Sequence, residues 1–389
     1  MFAQLLKPPT LRAHDENSRH ATWLELFFDL VLVAAIAQVG HTLVSAATLA
    51  EGLIYLGLIW IIFWVWCGHT IYSTRFDTDD PVFRILTFLN MFTLIVMAVE
   101  VHNAAHGHGF VFALAFLGSR LILLLLLARA YYHAKIARNI LRIYLFGFSA
   151  GAVIWASSLG FHGATAIWIW AFALGLEATV PWIIWRMPSG ENNISAEHIP
   201  ERFGLFTIIV LGENVFAVVK GLEPLNWTLQ AIITAGLSFV IAASIWWVYF
   251  QHIERMIGRI KLGSGQPYIY SHFPLLAGIV AVGIGTLRLI SETSQPYVSA
   301  ATLAILVGGY ALWWIGGVLL HFISCRQEAL SRTAFSRNIS IAVLLMAVGF
   351  FGQTQTSVVV AIMVCGISLL YAGWDSAARR QTRAQGTME

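Results

Sequence analysis

Glu25 and Asp29 stand four residues apart, so a helix carries both carboxylates on one face. Arg202 and Glu213 are eleven apart, close to three helical turns, and again share a face. Arg120 and Glu177 each fall near the middle of a long apolar stretch. One guanidinium, Arg120, set against Asp29, Glu177 and Glu213 leaves surplus negative charge, which a proton or a bound cation would balance. The competing reading is that Arg120 pairs with one acid and the others hydrogen-bond to backbone or hydroxyls, the whole set acting as polar glue between helices. Glu25, which follows Arg19 and His20, and Glu201, beside Arg202, also suit the positive N-terminus of a helix.

Three histidines join this set. His69 and His252 follow the aromatic runs Trp64-Val65-Trp66 and Trp247-Val248-Tyr249; they suit a membrane interface, and their matched placement also suits proton relay or gating. His272 precedes Phe273-Pro274, where proline frees a backbone carbonyl and opens a helix toward a cavity. The histidines His41, His102, His106, His108 and His162 match no standard ligand spacing, so no metal is expected. Cys67, Cys325 and Cys365 form no CxxC and no disulfide framework. Phosphate-loop, nucleophile-elbow, HExxH and dinucleotide motifs are missing, which argues against a soluble-style enzyme and against a cofactor.

Charged groups at such positions need apolar helices to carry them, and the composition supplies these. Of 389 residues, 58% are hydrophobic and 11% charged, with mean hydropathy +0.74, too little charge to cover a soluble surface. The chain reads as an all-α, polytopic membrane protein. Its twelve apolar segments are of roughly 20 residues, the length that spans about 30 Å of hydrocarbon. The first is expected over Thr22 to Thr48, and the eleventh, the shortest, over Ile339 to Phe351. On these spans 20 of the 23 Lys and Arg residues fall on one side, Lys220 and Arg288 fall on the other, and Arg120 lies within a helix. The positive-inside rule then places both termini in the cytoplasm. The net charge of +3 is spread along membrane-proximal loops, so no nucleic-acid partner is expected; the partners are the lipid bilayer and a small solute or ion, protons among them. The first 21 residues lack the apolar core of a cleaved signal, so the first segment is expected to remain as a helix.

The two halves repeat each other. Trp64-Val65-Trp66 with His69 corresponds to Trp247-Val248-Tyr249 with His252, and Pro81 and Pro267 follow at nearly the same distance. Arg138-Asn139-Ile140 returns as Arg337-Asn338-Ile339, and Asp29 falls against Glu213. The offset grows steadily along the chain, as a duplicated six-helix unit with drifting loops would give. An even number of crossings per half makes the repeats parallel. The domains expected are a tail over 1–21, repeats over 22–190 and 191–375, and a tail over 376–389.

Two long runs carry a family resemblance. Arg19-His20-Ala21-Thr22-Trp23-Leu24-Glu25-Leu26-Phe27-Phe28-Asp29-Leu30-Val31 and His198-Ile199-Pro200-Glu201-Arg202-Phe203-Gly204-Leu205-Phe206-Thr207-Ile208-Ile209-Val210-Leu211-Gly212-Glu213 resemble the bacterial low temperature requirement A family. The resemblance implies a multi-pass bacterial membrane protein linked to growth in the cold, with Glu25, Asp29, Glu201, Arg202 and Glu213 as its charged motif positions. It supplies no agreed substrate or reaction. Three functions follow from the residues: a secondary transporter built around the carboxylate–arginine cluster, a membrane enzyme or lipid-handling protein at the cytoplasmic interface, and a membrane sensor or scaffold whose polar cluster is sealed.

Overall fold

A polypeptide in hydrocarbon must satisfy its own backbone, which leaves helices as the structures that cross. The computed structural model describes residues 9–11, 22–77, 80–187, 198–225, 227–256, 265–324 and 331–386. Among them run α1 (Trp23–His41), α2 (Leu49–Arg75), α3 (Pro81–Ala105), α4 (Phe110–His133), α5 (Arg138–Ser157) and α6 (Gly163–Trp185). They continue as α7 (His198–Leu222), α8 (Leu229–Met256), α9 (Gly265–Ser291), α10 (Ala300–Ser324), α11 (Arg332–Phe351) and α12 (Ser357–Gly386). All 12 are long and apolar enough to cross a membrane, and the protein is an all-helical, multi-pass membrane protein. Among the described residues the extended structure is one antiparallel pair, β1 (Thr10–Leu11) and β2 (Phe76–Asp77), with Thr10 opposite Asp77 and Leu11 opposite Phe76.

Local chemistry sets the helix ends. Thr22 and Glu25 form a reciprocal capping box at α1: Thr22 Oγ1 accepts from the Glu25 amide, and the Thr22 amide donates to Glu25 Oε2 at 2.9 Å. Asp80 caps α3 by accepting from the Phe83 amide at 2.7 Å, and Pro81 occupies the first turn, where its missing N–H leaves no bond unmade. Two boundaries differ from the hydropathy reading. α1 stops at His41 rather than near Thr48, and the carbonyls of Leu43 and Ala46 beyond it accept from Arg288 Nη1, at 3.3 and 2.7 Å. α11 begins at Arg332, seven residues before the expected Ile339, because Ser331 caps it through the Ala334 amide. The basic and polar residues of its first two turns hide this start from a hydropathy window.

The helices gather into two compact units. The first comprises Met1–Thr42, Leu53–Phe206 and Ile260–Ile269; the second comprises Leu43–Gly52, Thr207–Arg259 and Tyr270–Glu389. The division between them in α7 falls between Phe206 and Thr207. In the first unit α1 packs on α3, α3 on α4, α4 on α5 and α5 on α6. A Cβ on Gly151 of α5 would sit 2.5 Å from Glu177 Oε1, so glycine there lets the carboxylate of α6 come close. In the second unit α8 and α11 pack on α12. There α9 and α10 meet backbone to backbone: a Cβ on Gly278 would lie 2.2 Å from the Trp313 amide nitrogen, the close approach that small residues permit between membrane helices.

Candidate functional site

Two buried arginines organise the first unit, and each is served by an indole from α2. Trp64 and Trp66 are two residues apart, which puts them about 200° apart around the helix. Trp66 Nε1 donates to Asp29 Oδ1 at 2.7 Å, and Trp64 Nε1 donates to Glu177 Oε2 at 2.8 Å.

In the Asp29 cluster α7 supplies the arginine. Arg202 Nη2 lies 2.9 Å from Asp29 Oδ1 and Nη1 lies 2.9 Å from Glu25 Oε2. The one-turn spacing of Glu25 and Asp29 thus becomes a fork that a single guanidinium straddles. Phe203 and Phe206 flank the Trp66 ring at 4.7 and 4.3 Å, holding the indole edge toward Asp29. Asp29 is 0% exposed, and its Oδ2 has no hydrogen-bond partner. Glu25 fills both roles weighed for it, since the same Oε2 closes the α1 cap and meets Arg202.

His69 lies one turn beyond Trp66 on the same face of α2. Its ring is buried between Phe28, at 4.2 Å, and Phe83, at 5.7 Å, and neither ring nitrogen has a hydrogen-bond partner. Burial between aromatic rings is not the snorkelling expected of an interface residue.

The second cluster is charge-balanced. Arg120 Nη2 pairs with Glu177 Oε2 at 2.7 Å, and its guanidinium lies 4.9 Å from the centre of the Phe116 ring and 5.1 Å from that of Phe148. Arg120 does not face three carboxylates as the sequence reading expects. Glu177 is its one ionic partner among the described residues, and Asp29 belongs to Arg202. The reason is reach: Arg202 enters α7 within its first turn, at the level of the α1 start, and takes both acids there.

The remaining positions lie elsewhere. Glu201 is half-buried at the start of α7, and Glu213 is half-buried on the part of α7 that belongs to the second unit. His272 is fully buried on α9, and its Nε2 lies 3.1 Å from the hydroxyl of Tyr249 on α8. His252 is in α8, but its side chain falls outside the described residues, as do Arg19 and His20. The rings of His102 and His106 lie 4.3 Å apart, tilted by 43°, and among the described residues no three His, Cys, Asp or Glu side chains gather as a metal site.

The two tryptophans are the site residues that charge-counting passes over, although the aromatic run Trp64-Val65-Trp66 stands out in the sequence. Two further ion pairs are also missed. Asp80 receives Arg129 from α4, with Nη1 at 3.1 Å from Oδ1, and Asp375 on α12 lies 3.9 Å from Arg337 on α11. Asp80 directly before Pro81 was the available signal for the first.

Comparison with known proteins agrees with the motif resemblance. A family model described as bacterial low temperature requirement A protein matches residues 20–372. A protein of Rhizobium meliloti (strain 1021), described as uncharacterized, is 27% identical over 340 residues, which cover 81% of this chain and 80% of that protein.

Proposed function

This chain belongs to the bacterial low temperature requirement A family, and on that premise we propose that it is an ion-coupled secondary transporter of the bacterial inner membrane. Glu25, Asp29 and Arg202 form its proton- or cation-handling group, with His69 as the neighbouring relay. Both termini face the cytoplasm, and two parallel six-helix repeats supply the alternating motion.

One observation carries the reading: two carboxylates share a single guanidinium, and Asp29 Oδ2 is buried with no hydrogen bond. Uptake of one proton or one monovalent cation brings the group to neutrality. Release restores a net negative charge that Arg202 only half answers. A site whose charge changes by one on occupancy can couple solute movement to an ion gradient, because the charged and neutral forms differ in the cost of crossing hydrocarbon. Arg120 and Glu177 are already neutral as a pair and hold the first unit together without exchanging an ion.

The test is purified protein in proteoliposomes carrying a pH-sensitive dye, challenged with a broad panel of solutes and cations. Wild type moves protons or a cation in step with at least one solute. Asp29→Asn, which keeps the shape and removes the charge, cuts that coupled flux at least roughly tenfold. Wild-type vesicles that move no proton, cation or solute across the panel would falsify the transporter reading.

A further inference from the structure

The far end of α3 holds a pair of imidazoles that takes no part in the Asp29 or Arg120 clusters. α1 and α3 are separated by the single crossing α2 and run the same way, so Asp29, near the start of α1, and His102 and His106, at the end of α3, lie at opposite ends of the first unit. Spacing alone does not relate these two histidines, because only a helix turns an interval of four into neighbours. The structure makes that turn helical: α3 runs to Ala105, with His106 as its C-cap. A Schellman motif locks this end. The Gly107 amide donates to the Ala104 carbonyl at 3.2 Å, the His108 amide donates to the Asn103 carbonyl at 2.8 Å, and Gly107 takes the left-handed φ of 82° that the motif needs. The Gly163 amide then donates to the Gly107 carbonyl at 3.0 Å, tying the turn to the start of α6.

On this fixed turn both side chains are exposed, and their ring centres lie 4.3 Å apart with planes tilted by 43°. His106 Nδ1 lies 2.8 Å from the His102 carbonyl oxygen; a carbonyl only accepts, so Nδ1 carries the proton and Nε2 keeps a lone pair for a ligand bond. The same back-bond from the second ring nitrogen orients the histidines of metal sites. Imidazoles bonded to one metal at about 2.0 Å put their ring centres about 4.5 Å apart when the bonds stand at right angles, and about 5.2 Å apart when they are tetrahedral. The observed separation matches the right-angled case, which Cu²⁺ and Ni²⁺ prefer and Zn²⁺ does not. Two further features favour a cation. The C-terminus of a helix carries partial negative charge. Residues 96–112 and 156–168, which make up this end of α3, the start of α4 and the turn from α5 to α6, contain no Lys or Arg.

We propose that His102 and His106 together bind a divalent transition metal of square-planar preference, Cu²⁺ ahead of Ni²⁺ and Zn²⁺. His106 ligates through Nε2, and water fills the positions that the two imidazoles leave. With water in those positions the ion is exchangeable and can be supplied and removed without unfolding the chain. This site stands independently of the transport reading, because binding is measured without flux and Asp29 lies at the other end of the unit.

The experiment titrates Cu²⁺, buffered with glycine, into the untagged full chain in lipid nanodiscs and follows the ion by electron paramagnetic resonance. Wild type takes one Cu²⁺ per chain that the double variant His102→Ala with His106→Ala does not, its spectrum shows coupling to two imidazole nitrogens, and equimolar Zn²⁺ does not displace it. His102→Ala and His106→Ala each weaken binding at least roughly tenfold. Both side chains are exposed, so both variants fold. His108→Ala, His162→Ala and Asp29→Asn bind Cu²⁺ as wild type does, so a failed transport reading and a failed metal site are told apart. The site does not exist if wild type binds no more Cu²⁺ than the double variant, which would make the ion adventitious. It also does not exist if fewer than two imidazole nitrogens couple to the bound ion, if Zn²⁺ displaces Cu²⁺ at equal concentration, or if His108→Ala or His162→Ala removes binding.

Discussion

The Arg120 and Arg202 clusters are built from the same parts and differ in their arithmetic. Each has a buried guanidinium, and each has a carboxylate oxygen that also takes an indole N–H from α2. Arg120 meets one acid and Arg202 meets two. A matched pair in hydrocarbon has nothing to gain from another charge, whereas an odd carboxylate has room for a counter-charge. The difference separates a brace from a binding group without appeal to sequence position.

Breaking the brace gives the largest effect. Arg120→Ala strands Glu177 in the core and costs about 3–5 kcal/mol, read from denaturant unfolding in detergent. The double replacement Arg120→Met with Glu177→Leu recovers most of that loss, since an apolar pair needs no partner. If the double variant is as unstable as the single one, the Arg120 pair is more than a brace and the contrast collapses.

The tryptophans sharpen the comparison next. Each N–H donates to a carboxyl group that is paired with an arginine, so Trp64→Phe and Trp66→Phe should each cost about 1.5–3 kcal/mol of stability. Only Trp66→Phe should change ion-coupled flux in vesicles. Equal flux in both variants would mean that the clusters do not divide the work. A steric probe follows. Gly151→Ala drives a methyl into Glu177 and should lower stability by about 1–3 kcal/mol, with flux per folded molecule unchanged. The smallest effect belongs to the α1 cap, where Thr22→Ala should cost about 1 kcal/mol, seen as a small drop in Tm.

Much of the fold was legible because hydrocarbon imposes a simple rule, a run of apolar residues for every crossing, and that rule survives in composition alone. It faltered where polar residues occupy a helix start, as at Arg332, or where apolar residues continue past a helix end, as at Leu43. The site was legible in kind but not in pairing. Glu25, Asp29, Arg120, Glu177 and Arg202 stand out because charges are costly in the membrane, and all five prove buried. Which arginine takes which acid depends on how α1, α2 and α7 pack, and no local spacing encodes a contact between residues 173 positions apart. The indoles were invisible as donors because an aromatic side chain in a membrane helix is expected to face lipid or packing before it is expected to hydrogen-bond.

The shared oxygen at the start of α1 has a mechanical consequence. Glu25 Oε2 latches the first turn to the Thr22 amide and answers Arg202 with the same atom. Pulling harder on one lets go of the other. Whatever tightens or slackens the grip of Arg202 is therefore transmitted as winding or fraying of the opening turn, and the exchange rate of the Thr22 amide hydrogen becomes a built-in gauge of what the cluster holds.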